Sequence, residues 1–440
     1  MSTPRRLSRE LPTLVGQEVR VAGHLQDYRA LGGVSFALVR DRAGLLQLTL
    51  KKGQSPEALF ELFQNLPRES VVQAEGQVLS NPRAKVGAEV SPRTVEVLSR
   101  AQVPLPLGVV DKVGADLDTR LNHRVLDLRK PDNHQIAELR GVLLWALRES
   151  FTELGFTEVE TPKLLRQGAE GGATMFQVDY FGKPAYLAQS PQLYKQMLMG
   201  TDLERVFEIA PAFRAEPSDT NRHLTEFTSI DAEMAYIDGP QDLWETVERL
   251  VAGTFRRTKE RLTERSSPLA ARVPEVRTPF PRVTFREGAE LLGREKGSPG
   301  FDAEMSSEDE KLLGTKVEER HGNEFYLLTE FPTEVKKGTF YAMRQDAHPD
   351  LTNYFDFEFR GLELLSGGQR EHRIEKLEAQ IRAAGMDPAS FEGYLEAFRF
   401  GMPPHGGFAL GLDRIVQRLA GLNNIREGRL FPRDRFRLEP

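Results

Sequence analysis

The residues best suited to chemistry fall in three stretches. Arg214 and Glu216 follow the apolar run Val206 to Phe213, and after a connection rich in Pro, Ser, Asp and Asn the chain returns with Arg222, His223, Phe227, Asp231 and Glu233. This pattern predicts a hairpin with charge at alternate positions on both arms, so that Arg214 and Glu216 share one face. A ladder of cross-strand ion pairs would explain such a hairpin without any chemistry. The second stretch points further. Asp356 and Glu363 stand seven residues apart across one predicted turn, Ser366 follows, and no His or Cys lies near them. Two carboxylates and a hydroxyl make a hard oxygen site that suits magnesium and suits zinc poorly, and magnesium in turn suggests phosphates. The third stretch, Gly406 to Arg414, runs a glycine-rich strand into a helix and ends on an arginine whose planar fork can grip two phosphate oxygens. Neither a P-loop nor a dinucleotide fingerprint follows any predicted strand, so a nucleotide would have to bind on another scaffold.

Elements able to position these groups can be read on either side of a stiff segment. At 440 residues the chain asks for two domains. From Glu18 to about Leu98, short alternating strands (Val19 and Val21; Val34, Phe36 and Leu38; Leu46, Leu48 and Leu50) are broken by glycine and proline turns, with one helical patch near Pro56 to Leu66. That inventory matches a small β-barrel of the OB type. Val103 to Gly108, with prolines at 104 and 106, reads as a linker. The expected organisation is therefore a barrel at 1–102, a hinge at 103–120 and a body at 121–440. In the body, helical spacing over 134–154 ends at Gly155, and later helices at 241–263 and 371–384 alternate with strands near 324–329 and 354–365. Strands outnumber the crossovers a parallel sheet would need, so the fold class is α+β, an antiparallel sheet flanked by helices.

Composition narrows the function classes. Hydrophobic residues make up 39% and charged residues 28%, and no run approaches the roughly 18 apolar residues of a membrane span. Met1 to Glu10 carries three arginines but no apolar stretch behind them, unlike a secretory signal. The absence of cysteine excludes disulfides and thiolate metal sites and agrees with a cytoplasmic location. A net charge of −6 argues against a generic nucleic-acid binder, yet the first hundred residues hold 14 Lys and Arg against 10 Asp and Glu. A mildly basic module on an acidic body suits a polyanion held by one end.

Several of these segments resemble a known family. Phe213-Arg214-Ala215-Glu216 with Arg222-His223-Leu224-Thr225-Glu226-Phe227 resembles motif 2 of the class II aminoacyl-tRNA synthetases, and Gly411-Leu412-Asp413-Arg414 resembles motif 3. Gly155-Phe156-Thr157-Glu158-Val159-Glu160-Thr161-Pro162 is similar to motif 1, which in that family builds the dimer interface. Gln189-Ser190-Pro191-Gln192-Leu193-Tyr194-Lys195-Gln196 and Ser366-Gly367-Gly368-Gln369-Arg370 resemble the archaeal-type aspartyl-tRNA synthetases in particular. The likeness extends from the barrel to Arg435, essentially the whole chain.

This resemblance implies a ligase that activates L-aspartate with ATP to aspartyl-adenylate and transfers it to the 3′ end of tRNA(Asp), with tRNA(Asn) an open second acceptor. It also implies magnesium as cofactor and a homodimer through motif 1 around Pro162. By position, Arg214 would hold the α-phosphate and touch aspartate, Glu216 the adenine amino group, and Phe227 and Arg414 would sandwich the base. Arg222, His223 and Arg414 would reach the γ-phosphate, while Leu224, Gly411, Leu412 and Asp413 would line the nucleotide. Glu363 and Ser366 would hold magnesium, supported by Asp356. Glu170 would meet the substrate ammonium, assisted by Asp231, with Gln192, Lys195, Ser366 and Arg370 completing the aspartate site. In the barrel, Arg29, Phe36 and Gln47 would contact the anticodon. Gln26 and Lys85 occupy the positions linked to tRNA discrimination: strict relatives carry Trp and Lys there, relaxed ones His and Pro, and this chain has Gln26 with Lys85, a signature that leaves the choice of tRNA open. Asp413 stands where archaeal-type relatives more often have Glu. An asparaginyl-tRNA synthetase shares the architecture but lacks a lysine at 195, and a non-catalytic tRNA-binding paralogue would have lost Arg214, Asp356, Glu363 or Arg414.

Chemistry supports the choice of amino acid. Asparagine is a neutral near-isostere of aspartate, so shape discriminates little and charge must do so. Lys195 and Arg370 supply two cations, and asparagine would leave them unbalanced and point an amide donor at donors. Such mismatches cost a few kcal/mol, on the order of hundredfold in selectivity. Gln47, between Leu46 and Leu48, is expected to face outward. Phe36 shares phase with Val34 and Leu38 and fits either a base-stacking surface or the core.

Overall fold

The computed structural model describes residues 4–110, 114–166, 175–217, 220–295 and 303–440. The chain divides into two compact units, Met1–Leu126 and Asp127–Pro440.

In the first unit, Glu18–Leu31 (β1), Val34–Asp41 (β2), Gly44–Lys51 (β3), Val71–Ser80 (β4) and Ala88–Ser99 (β5) close a barrel in the order β1-β2-β3-β5-β4. The helix Glu57–Asn65 lies between β3 and β4 and seals the barrel with Leu59 and Phe63. Leu46, Leu48 and Leu50 face the core as read from sequence, and β2 takes the outward of the two phases left open for Phe36. Ser35, Ala37 and Val39 are buried, while Val34, Phe36 and Leu38 are half-buried on the outer face. Small residues fill the crowded interior here, and the larger apolar ones form a platform outside.

The second unit is built on an eight-stranded sheet. Its strands are Thr157–Glu158 (β6), Arg205–Phe213 (β10), Glu226–Ala235 (β11), Arg282–Thr284 (β12), Phe325–Thr329 (β13), Tyr354–Phe359 (β14), Glu363–Gln369 (β15) and His405–Gly411 (β16). Leu164–Leu165 (β7), Gln177–Tyr180 (β8) and Lys183–Leu187 (β9) form a separate three-stranded sheet. The large sheet has the order β12-β13-β14-β15-β16-β11-β10-β6. Its six central strands are antiparallel as expected, and one short parallel strand is added at each edge. Those edge strands are two and three residues long, too short to leave a periodic signal.

Period-2 alternation gives this sheet two unlike faces. Phe207, Ile230, Ala232, Phe355, Phe357, Phe408 and Leu410 point to one side, where the helices Pro131–Glu153 and Pro240–Glu264 bury them with Leu139, Leu143, Leu147, Phe151, Leu243 and Val247. The rings of Phe151 and Phe207 stack with centroids 4.4 Å apart. The first helix opens on Pro131, whose missing N–H costs nothing there, and is followed by Gly155 at φ 79°. Glu208, Asp231, Glu233, Asp356, Glu358 and Ser366 alternate with the core residues and therefore collect on the other side.

Candidate active site

The predicted hairpin exists as β10 and β11, in register from Arg205↔Met234 to Phe213↔Glu226. Beyond it, the backbone N–H of Arg214 donates to the Thr225 carbonyl at 2.9 Å, and the Arg214 guanidinium lies over the Phe227 ring, 5.3 Å from its centroid. The His223 imidazole is held below its ordinary pKa by burial and by the positive fields of Arg414, Arg214 and Arg222, against the opposing pull of Glu216. These four charged groups therefore act on one histidine at the end of the hairpin. Arg414 donates to the Glu363 carbonyl at 2.9 Å and pairs with the Glu363 carboxylate at 3.3 Å. Arg222 pairs with Glu310, on the helix Ser307–His321, at 3.4 Å. Leu224 and Leu412 are buried. Asp413 is committed elsewhere: Oδ1 accepts from Arg140 at 2.6 Å, and Oδ2 accepts from the Thr228 N–H at 2.9 Å and from Arg429 at 3.4 Å. Its carboxylate fastens β11 to two arginines rather than facing the arginine cluster.

Beside the hairpin, the helix Gln192–Leu198 drives Lys195 into the sheet. Its Nζ donates to Asp231 Oδ1 and to the Phe408 carbonyl, both at 3.1 Å, and lies 3.4 Å from Glu233 Oε2. Arg370 donates through Nε and Nη2 to the two oxygens of Glu233 at 2.8 and 3.3 Å and sits over the Tyr341 ring. All four charged side chains are at most 3% exposed. Burial alone would raise the Glu233 carboxyl, but Arg370 and then Lys195 more than offset this and hold it below the usual carboxylate range.

The two cations are therefore not unbalanced, contrary to the sequence expectation: Asp231 and Glu233 neutralise them. What stays open is geometric. Arg370 Nη1 is buried with no hydrogen-bond acceptor, a donor that either oxygen of a carboxylate satisfies but that an amide can meet only through its single oxygen. Glu233 was legible in the sequence, two positions from Asp231 on the same strand face, but had been given no role. Gly407 makes room for it, since a Cβ there would lie 2.0 Å from Glu233 Oε2 and 2.1 Å from the Ala232 carbonyl oxygen. Gln192 is buried and donates to Gln196 at 2.8 Å. Glu170 lies outside the described residues.

A second, strongly acidic region adjoins the arginines. Asp356 and Ser366 sit opposite each other on β14 and β15, and Ser366 also donates to the Tyr354 hydroxyl at 3.0 Å. Glu304, Glu310, Asp356, Glu358 and Glu363 line a cavity of about 110 Å³ with Lys336. Burial pushes Asp356 up to about 6, with Lys336 opposing and Glu363 adding to the rise. Burial and then Glu363 push Glu310 up to about 7, and Glu358 is raised well above its ordinary value. Asp356 Oδ1 and Glu358 Oε2 are buried without hydrogen-bond partners. Orphaned carboxylate oxygens and surplus negative charge fit a hard divalent cation. Among the described residues, no three His, Asp or Glu side chains are grouped so as to enclose an ion. The fit is thus to a magnesium that keeps phosphate and water ligands, the habit of that ion. Glu358 was legible through alternation, two positions from Asp356 on β14, whereas Glu310 and Lys336 had no signal in the sequence because each reaches the site through long-range packing.

In the barrel, Arg29, Phe36 and Thr49 lie side by side across β1, β2 and β3. Gln47 Nε2 donates to Glu89 at 2.9 Å and lies 3.3 Å from Thr49 Oγ1, so the three expected anticodon residues share one outer patch. Gln26 sits at a bulge in β1, where Arg40 donates to it at 3.3 Å, and Lys85 is exposed in the turn between β4 and β5.

No helix among the described residues is long and apolar enough to cross a membrane. Residues 116–435 match the family described as tRNA synthetases class II (D, K and N), and residues 19–98 match the OB-fold nucleic acid binding domain. The aspartate–tRNA(Asp/Asn) ligase of Methanopyrus kandleri is 46% identical over 98% of this chain and 97% of its own length. The aspartate–tRNA(Asp) ligase of Pyrococcus horikoshii is 45% identical over 97% of both. Among solved structures, the asparaginyl-tRNA synthetase of Pyrococcus horikoshii complexed with asparaginyl-adenylate superposes with a TM-score of 0.88 at 33% identity over 98% of each chain. The aspartyl-tRNA synthetase of Entamoeba histolytica does so with a TM-score of 0.86 at 30% identity, covering 100% of this chain and 93% of that one. With the family matched across nearly three quarters of the sequence and relatives alike from end to end, the chain belongs to the class II tRNA synthetases (D, K and N), ATP-dependent ligases with an OB-fold tRNA-binding domain.

Proposed function

We propose that this chain is an aspartate–tRNA ligase. The observation that carries this reading is the buried set Lys195, Arg370, Glu233 and Asp231, which leaves a donor of Arg370 waiting for an acceptor at the floor of the site. The aspartate α-carboxylate is ionised at neutral pH and needs no general base to attack the α-phosphorus of ATP. A new carboxyl–phosphate bond forms, the bond to pyrophosphate breaks, and aspartyl-adenylate results. Arg214 neutralises charge growing on the α-phosphate oxygens, while Arg222, His223 and Arg414 receive the outgoing pyrophosphate. Phe227 supports the adenine, with Glu216 at its amino group. Asp356, Glu363 and Ser366 would hold magnesium, whose charge when bound screens the phosphates. In the second step, the terminal adenosine hydroxyl of tRNA attacks the mixed anhydride and releases AMP. The outer barrel patch of Arg29, Phe36 and Gln47 serves the anticodon, and two copies pair through the segment around Pro162. A cysteine-free chain suits the reducing cytoplasm.

The test is to charge purified tRNA(Asp) and tRNA(Asn) with labelled aspartate and, separately, asparagine. Aspartate should be attached to tRNA(Asp). Asparagine attachment without aspartate attachment would overturn the assignment, and aspartylation of tRNA(Asn) would decide the discrimination that Gln26 and Lys85 leave open.

A further inference from the structure

We propose that Lys336 is a resident counter-ion of the acidic cavity, which holds Asp356 and keeps free divalent ions out until nucleotide carries one in. This rests on reading Asp356, Glu363 and Ser366 as the place where metal and phosphate meet. Lys336 lies on the loop between β13 and β14, and its backbone N–H is tethered to the Pro332 carbonyl. The side chain is 15% exposed and enters a slot between two rings, with Nζ 4.3 Å from the centroid of Phe331 and 4.7 Å from that of Tyr354. Those faces guide a cation to one spot. There Nζ stands 3.4 Å from Asp356 Oδ2, while Asp356 Oδ1 is left without a partner.

Three features make this contact more than a structural ion pair. First, among the described residues Lys336 is the one cation lining a cavity that also holds Glu304, Glu310, Asp356, Glu358 and Glu363, so it is the group there that opposes an entering ion. Second, it covers the carboxylate assigned to support the metal. Third, the contact is longer than the ~2.7–2.9 Å of a strong charge-assisted bond, so a lysine on a flexible stem can release Asp356 by a small retraction. A free divalent ion must overcome the lysine's repulsion, whereas an ion already bound to triphosphate arrives with compensating negative charge. The device therefore favours entry of the metal–nucleotide complex over stepwise loading.

The experiment is a titration of the full-length, nucleotide-free protein with Mn2+, followed by electron paramagnetic resonance, for wild type, Lys336→Met and Lys336→Met/Asp356→Asn. Wild type with ATP present serves as reference. Lys336→Met should take up one Mn2+ without nucleotide at least about tenfold more tightly than wild type, as expected when a unit charge is removed at this range. The double variant should lose that gain. Equal Mn2+ affinity in wild type and Lys336→Met would overturn the proposal, as would a gain that survives Asp356→Asn. Should Lys336→Met fail to fold, Lys336→Gln carries the same titration. If wild type with ATP retains no Mn2+, the underlying metal assignment fails instead, an outcome distinct from the other two.

Discussion

Replacing Lys195 with methionine tests the proposed aspartate site most directly. The wild-type floor holds two cations and two carboxylates, all buried. Lys195→Met leaves Asp231 and Glu233 facing Arg370 alone and turns a balanced site into one with a surplus negative charge. An incoming β-carboxylate then loses an attraction of roughly 3–4 kcal/mol, the size of a unit-charge interaction near 4 Å at an effective dielectric of about 20. Since about 1.4 kcal/mol is tenfold, kcat/KM for aspartate in ATP–pyrophosphate exchange should fall about 100- to 1000-fold. Breaking a buried ionic set also costs stability, about 3–5 kcal/mol, so thermal unfolding must be followed in parallel. Adding Asp231→Asn restores the charge balance and should recover much of that stability without recovering exchange. A Lys195→Met enzyme that keeps kcat/KM within tenfold of wild type would refute the reasoning.

Further expectations concern other parts of the molecule. Phe36→Ala should raise KM for tRNA by about tenfold or more, the worth of one stacked base, while leaving tRNA-independent exchange unchanged in a pyrophosphate assay. Gly361→Ala should destabilise the second unit by at least about 2 kcal/mol in denaturant titration, because Gly361 has φ 63° and a Cβ would lie 2.6 Å from Lys311 Cα. His405, fully buried, accepts at Nε2 from Gln196 and donates from Nδ1 to the Pro403 carbonyl, and burial depresses its pKa to about 4. The folded state resists protonation that the unfolded chain accepts, so this contribution is complete above about 6.5 and is lost as pH falls toward 4. The loss is on the order of 3 kcal/mol. In His405→Asn the dependence of unfolding free energy on pH across that window should flatten correspondingly.

How much of this was legible depended on whether a residue signals through its neighbours in sequence. Arg214, Glu216, Arg222 and His223 were read from their residue types, since β10 ends at Phe213 and β11 begins at Glu226, and alternation reaches only Phe227, Asp231 and Glu233. Asp356 and Ser366 could be paired because one turn separates their strands. Lys336 sits in a loop without periodicity, and Glu310 on a helix whose acids otherwise read as a solvated first turn, so only packing reveals them. The phase of β2 stayed open in the sequence because the buried set Ser35, Ala37 and Val39 is no more apolar than the outer set Val34, Phe36 and Leu38. Lys195 and Arg370 were found, but Asp231 and Glu233 change what they mean: the cations are balanced before any substrate arrives, and Arg370 adds an open donor at Nη1.

The fit between Gly407 and Glu233 also constrains how the site can drift over generations. Any residue with a side chain at 407 would collide with the carboxylate that ties Lys195 to Arg370 and with the Ala232 carbonyl, and a chain that loses the carboxylate leaves Arg370 without its anion while Lys195 keeps only Asp231. Because the Ala232 carbonyl belongs to the backbone, no exchange at 233 frees position 407, and the pairing of β11 with β16 holds the glycine against it. An otherwise featureless glycine thereby becomes a lock on the amino acid the enzyme accepts.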